Sequence, residues 1–188
     1  LWAVYADKIL TALRKSGLGC HVGGLWMGAV MYADDLALLA PTRAILAAML
    51  DLVVAQGQDL NLKFSSNQDP QKCKSFCLYF VGPKQTGRVT YPTPLQLNGV
   101  VLPWRKKAVH LGHTLHQDLT MDTDAAQRKA QFIGNSVEIR EQFSFLAPIL
   151  ILKAVRVLCC HAYGSVLWRL NSKAASSYFS AYSSCVRR

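Results

Sequence analysis

Residues 25–39 read Leu25-Trp26-Met27-Gly28-Ala29-Val30-Met31-Tyr32-Ala33-Asp34-Asp35-Leu36-Ala37-Leu38-Leu39, and their reading decides the fold. Two short apolar runs flank an Asp-Asp pair, a pattern that predicts a buried β-hairpin with the acids at its tip. Adjacent carboxylates there are costly, because like charges repel and burial penalises both. A divalent cation offsets that cost. Magnesium takes one or two carboxylates together with substrate phosphates, and two such ions can stabilise the attacking and the leaving oxygen of a phosphoryl transfer. The plain alternative is a polar turn, in which Asp is common.

Working outward, Val4, Ile9, Leu10 and Leu13 recur at helical spacing, and Lys15-Ser16-Gly17 supplies the cation and glycine of a helix C-terminus. After the hairpin, Thr42 is placed to cap a second helix whose apolar stripe runs Ile45, Leu46, Met49, Leu50, Val53 and Val54, ahead of Gly57. Residues 65–71 read as a polar loop. Cys73 to Val81 then read as a strand ended by Gly82-Pro83. Asn98-Gly99 between Leu95-Gln96-Leu97 and Val100-Val101-Leu102 signals a tight hairpin. A further strand is expected over Ala108–Leu111. Beyond Asp118 the texture is helical, with segments over Asp122–Phe143, Ile149–Leu170 and Lys173–Val186. The expectation is an α+β chain, with mixed helix and antiparallel strand over 1–117 and an all-helical region over 118–188.

The chain has 188 residues, 51% of them hydrophobic, which excludes wholesale disorder and allows a packed core. Its formal charge is +10 and unevenly spread. Residues 1–60 hold four of the 21 basic residues and five of the 11 acidic ones, leaving 17 and six for the rest, so that net −1 is followed by net +11. A polyanionic partner for the later part follows on electrostatic grounds. Six cysteines are too sparse for a disulfide scaffold, and an intracellular, reduced protein is expected. No apolar run is long and uncharged enough to span a membrane. The chain opens at Leu1-Trp2, without Met or a basic and apolar leader, and is read as a piece of a longer polypeptide.

The words around the acids agree with one another. Tyr32-Ala33-Asp34-Asp35 is a Y-x-D-D signature. It is preceded by Tyr5-Ala6-Asp7, Leu13-Arg14-Lys15-Ser16-Gly17-Leu18-Gly19-Cys20, Gly23-Gly24 and Gly28-Ala29, and followed by Leu39-Ala40-Pro41-Thr42. The set resembles the catalytic palm region of LINE-type (non-LTR) retrotransposon reverse transcriptases. Asp69-Pro70-Gln71-Lys72-Cys73-Lys74-Ser75-Phe76-Cys77 resembles the family's lysine-bearing segment, Val109-His110-Leu111-Gly112-His113 its primer-grip turn, and Ala162-Tyr163-Gly164-Ser165-Val166-Leu167-Trp168 a stretch of the thumb.

The resemblance implies a partial polymerase palm over 1–117 that includes the primer grip, then a thumb-like region over 118–188. It implies RNA-directed DNA polymerisation, in which a primer 3′-hydroxyl attacks a deoxynucleoside triphosphate with two Mg2+ ions and an RNA template. By the same resemblance Asp34 binds metal, Asp35 has a secondary electrostatic role at the metal, Lys74 protonates pyrophosphate, and Leu111 and Gly112 grip the DNA primer. Nucleus or cytoplasm is the implied location. The family's earlier palm aspartate and its fingers precede the region matched by Leu1, and Asp7, on the post-fingers helix, does not replace that aspartate. The chain alone is therefore expected to be inactive, because one carboxylate cluster in place of two compromises metal affinity and in-line geometry.

The later cations include Lys63, Lys72, Lys74, Lys84, Arg88, Arg105, Lys106, Lys107, Arg128, Lys129, Arg140, Lys153, Arg156 and Arg169. They read either as a solvated surface or as a phosphate-contacting track for template and primer. Trp104, ahead of Arg105-Lys106-Lys107, is the aromatic expected to meet nucleic acid, whereas Phe143, Phe145, Tyr163 and Trp168 read as core. Cys73 and Cys77 with His110 and His113 carry zinc-type ligands, but four residues on a strand span about 13 Å, too far for one ion. His113 and His116 read instead as local hydrogen-bonding residues, and Cys159-Cys160 as including a core thiol. The alternatives are a non-catalytic nucleic-acid-binding remnant in which the hairpin persists only as structure, and an α+β domain that binds another protein.

Overall fold

The computed structural model describes residues 2–82, 89–159 and 165–187. Pro83, Lys84, Arg88, Cys160 and the Ala162-Tyr163-Gly164 stretch lie outside the described residues. Among the described residues the chain is mixed α+β. It has five helices, a single 3-10 turn at Ser165–Leu167, and ten short strands, eight of which form four antiparallel hairpins closed by two-residue turns. Two compact units divide it: Leu1–Cys77 with Arg88–Trp104, and Leu78–Gly87 with Arg105–Arg188.

In the first unit, α1 (Trp2–Ser16) buries Ala6, Ile9 and Leu13, one face at helical spacing, and stops where Gly17 turns to φ 68. Val4 lies outside that face and is exposed. β1 (His21–Val22) and β2 (Leu25–Trp26) follow, joined by Gly23-Gly24, both at positive φ as a type I′ turn requires. β3 (Ala29–Tyr32) and β4 (Asp35–Leu38) form the acid-tipped hairpin. α2 (Arg43–Asp59) is capped by Thr42, whose hydroxyl accepts from Ile45 N–H at 3.3 Å. The core joins α1 to α2 through Ile9, Leu13, Met49 and Val53, with Ala29, Leu36 and Leu38 of the hairpin packed against it.

Two glycines make this packing possible. Gly19, at φ 109, lies so close to Gly28 that an added Cβ would stand 2.5 Å from the Gly28 Cα. That contact seats the base of the hairpin, where Leu39 N–H donates to the Gly28 carbonyl (2.7 Å) and Cys20 N–H to the Leu39 carbonyl (2.9 Å). Gly57 lies inside α2, not beyond its end, and the Phe64 ring folds back over it. A Cβ there would come within 2.5 Å of the ring. Overpacking of that kind costs about 1–3 kcal/mol, against about 1 kcal/mol that alanine gains in helix propensity. Gly57→Ala is thus expected to destabilise by about 1 kcal/mol, read from the urea midpoint; a stabilised variant would contradict the packing.

The strand expected over 73–81 contracts to β5 (Cys77–Leu78), while residues 71–76 turn through local side-chain bonds. β6 (Gln96–Leu97) and β7 (Val100–Val101) meet across Asn98-Gly99, at φ 52 and 76. β8 (Trp104–Arg105) follows, and the two-residue strands β5 and β8 are where the chain passes between units. Cys73, Cys77, Leu95, Leu97 and Leu102 form a second small core. Strands of two to four residues, with Pro92, Pro94 and Pro103 between them, stay in two-stranded ladders and do not join into one sheet among the described residues.

The second unit contains β9 (Lys107–His110) and β10 (His113–His116), then α3 (Asp122–Gln142), α4 (Pro148–Cys159) and α5 (Lys173–Arg187). β9 begins and ends within a residue of the strand expected over 108–111, and β10 is an addition to the sequence reading. α4 ends at Cys159, short of Leu170. Ala125, Phe132, Ile139, Val155, Cys159, Trp168, Ala175 and Tyr178 form its core, with Trp168 edge-on to Tyr178 at 5.1 Å between centroids. Trp168 is buried and Phe143 packs at the margin, as a core role requires, but Phe145 is 78% exposed. The texture change read at residue 118 falls after this hairpin, which belongs to the same compact unit as the helices.

Candidate functional site

Tyr32 pairs with Asp35, so Ala33 and Asp34 are the two turn residues. Ala33 takes φ 53, a left-handed conformation that disfavours residues with a Cβ. Strand alternation puts Ala29, Met31, Leu36 and Leu38 on one face and Val30, Tyr32, Asp35 and Ala37 on the other. Ala29, Leu36 and Leu38 of the first face pack against the α1–α2 core, whereas Val30, Tyr32 and Asp35 of the second are exposed. Asp34 and Asp35 are both exposed, and Tyr32 is 67% exposed. The hairpin is therefore not buried, because its strands are covered on one side only. Water already solvates the two carboxylates, so the stem stands without a cation to offset burial.

Lys74 is exposed in the loop before β5. That loop is held by Cys73 Sγ donating to Ser75 O (3.0 Å), Gln71 N–H donating to Asp69 Oδ1 (2.9 Å) and the pair Lys72–Asp69 (3.8 Å). No ion pair joins Lys74 to Asp34 or Asp35 among the described residues. Trp104 is half-buried and stacked on Tyr91 at 6.2 Å, its ring packed against the second core. Burial, and then the neighbouring Cys73, push the Cys77 thiol up to about 11. Since the thiolate is the nucleophile, Cys77 is expected to resist a disulfide reagent at pH 7.5 while half-buried Cys20 reacts; labelling of Cys77 first would contradict that.

In the second unit Leu111 and Gly112 are the two residues of a type I′ turn, at φ 48 and 78. The first turns of α3 reach this hairpin. Arg128 Nη2 donates to the Gly112 carbonyl at 2.6 Å, and Thr114 Oγ1 donates to Gln127 Oε1 at 2.5 Å. Asp124, only 2% exposed, accepts from Thr114 N–H (3.1 Å) and from Trp168 Nε1 (3.0 Å), with His113 Nδ1 at 3.6 Å. Sequence reading missed this buried carboxylate. An acid in the first turn of a helix is already accounted for by the helix dipole, and its partners lie 10 and 44 positions away. His116 Nδ1 meets Asp118 Oδ1 at 2.5 Å. Burial works against ionisation of Asp118, but Thr120 N–H and Oγ1 and then His116 outweigh it and hold the carboxyl below its usual range.

The cations sort into two groups. Arg43 donates to the Thr93 and Pro94 carbonyls, Arg128 to Gly112, Lys129 to Ser177 Oγ (2.7 Å) and Arg140 to Cys185 O (2.8 Å), so these four are engaged within the fold. Lys63, Lys74, Lys106, Lys107, Lys153, Arg156 and Arg169 are exposed, Arg105 half-buried.

The donor set at the hairpin tip suits the protein's share of one magnesium site, one or two carboxylates with the remaining positions left to water and phosphate. No group of three or more His, Cys, Asp or Glu side chains is gathered to hold a metal among the described residues. No helix among them is long and apolar enough to cross a membrane. In comparisons with known proteins, no family model, curated protein or solved structure matches the chain.

Proposed function

We propose that this chain is the palm-and-thumb part of a LINE-type RNA-directed DNA polymerase, which extends a DNA primer on an RNA template with deoxynucleoside triphosphates and Mg2+. The observation that carries the reading is the placement of Tyr32-Ala33-Asp34-Asp35: both carboxylates stand in solvent at a two-residue turn whose stem is anchored on helices. Asp34 would hold the metal, with Asp35 beside it adding negative charge. The ion, when bound, supplies charge stabilisation to the transferring phosphate. Lys74, exposed in the loop before β5, would give a proton to the pyrophosphate as its bond to the α-phosphorus breaks. Leu111 and Gly112 would present a tight turn to the primer end, and Lys106 and Lys107, exposed at the start of the same hairpin, would meet backbone phosphates.

A second reading is a non-catalytic nucleic-acid-binding domain. It is favoured by the anchoring of the hairpin through the Gly19–Gly28 contact and the Leu39 main chain, which do not use the carboxylates. Magnesium-dependent primer extension by a polypeptide that joins this chain to the palm strand and fingers the resemblance implies, with Asp34 intact and replaced, separates the two.

A further inference from the structure

We infer that α3 positions the Leu111–Gly112 turn, with Arg128 and Asp124 as positioning residues that act through the main chain of Gly112 and Thr114; this rests on the reading of that turn as a nucleic-acid contact. A two-residue hairpin tip is by itself a mobile element, and this one carries Leu111 in a left-handed conformation that costs about 1 kcal/mol. Three side chains from the first two turns of one helix hold it. The Arg128 guanidinium closes on the Gly112 carbonyl at the tip. Two residues along, Asp124 accepts the Thr114 N–H and Gln127 the Thr114 hydroxyl.

Asp124 also accepts the indole N–H of Trp168, which packs in the core against Tyr178 of α5. One carboxylate thus fixes the hairpin, α3 and the Trp168 segment together, and the tip inherits the rigidity of the helical core. On this inference Arg128 serves the turn and not a phosphate: its hydrogen bond goes to a main-chain carbonyl, which separates its role from that of the exposed Lys106 and Lys107.

The test measures binding of an RNA–DNA primer–template by the 188-residue chain over a range of salt, with amide spectra of residues 110–114. Arg128→Met removes the donor and keeps much of the side-chain length. Expected are a loss of about five- to tenfold in affinity, the size of one net hydrogen bond, an unchanged slope of log affinity against log salt, and shifted Gly112 and His113 amides. A slope reduced by about one would mean that Arg128 contacts a phosphate directly, and unchanged affinity would mean that the turn needs no positioning; either overturns the inference. Asp124→Asn, which keeps one acceptor, is expected to weaken binding while shifting the Thr114 amide and the Trp168 indole signal. Should that variant fail to fold, the Arg128 result stands by itself. Failure of the unmodified chain to bind any primer–template would bring down the underlying reading, an outcome distinct from binding that Arg128→Met leaves untouched.

Discussion

Primer extension on an RNA template is expected to fall by about three orders of magnitude or more, roughly 4 kcal/mol of transition-state stabilisation, when Asp34 is replaced by alanine in a polypeptide that joins this chain to the upstream palm strand and fingers implied by the resemblance. Asp34 is exposed in the turn and supports no part of the core, so the loss is not a folding defect. Circular dichroism and melting temperature should stay as they are. Asp35→Asn is expected to cost less, about 10- to 100-fold, since an amide keeps the size and removes one charge near the metal-holding group. Undiminished extension by Asp34→Ala would leave the hairpin as structure and favour the non-catalytic reading.

Replacing Asp124 by alanine is expected to remove about 3 kcal/mol of stability. The substitution leaves two buried donors, Thr114 N–H and Trp168 Nε1, without their acceptor, and each orphaned donor costs about 1–3 kcal/mol. Part of that is returned because the carboxylate need no longer be held out of water. Asp124→Asn, able to accept once, should fall between the two. Urea unfolding followed by tryptophan fluorescence and by the amides of residues 107–116 reads the effect, and a change below about 0.5 kcal/mol would show that the carboxylate does not hold the hairpin.

How much of this was legible varies with how local the cause is. Asn98-Gly99 announces a tight turn because both central residues of a type I′ turn need positive φ, which asparagine and glycine reach at low cost. Thr42 announces a helix start because its hydroxyl meets an N–H three residues on. The acid-tipped hairpin was legible as a hairpin, while its exposure was not: whether a second layer covers an apolar strand depends on the rest of the fold. The Leu111-Gly112 turn hid β10, since leucine rarely sits at positive φ and His113-Thr114-Leu115-His116 has little strand signature. Cys73–Val81 looked like one strand because of its apolar content, but its Cys73 and Cys77 serve a small core from a turn and a two-residue strand. The cations are the clearest case. Charge is visible in sequence, but that Arg43, Arg128, Lys129 and Arg140 are engaged with carbonyls and a hydroxyl, whereas Lys106 and Lys107 are exposed, is tertiary information.

The central claim, that this chain handles a primer–template, is tested most directly by fluorescence anisotropy of a labelled RNA–DNA primer–template titrated with the 188-residue chain between 50 and 200 mM salt. Three to five phosphate contacts from the exposed lysines and arginines predict a log–log slope of about −3 to −4 and a fall in affinity on the order of 100-fold across that range, with little dependence on base sequence. Binding that is absent at 50 mM salt, or that does not respond to salt, would contradict the account.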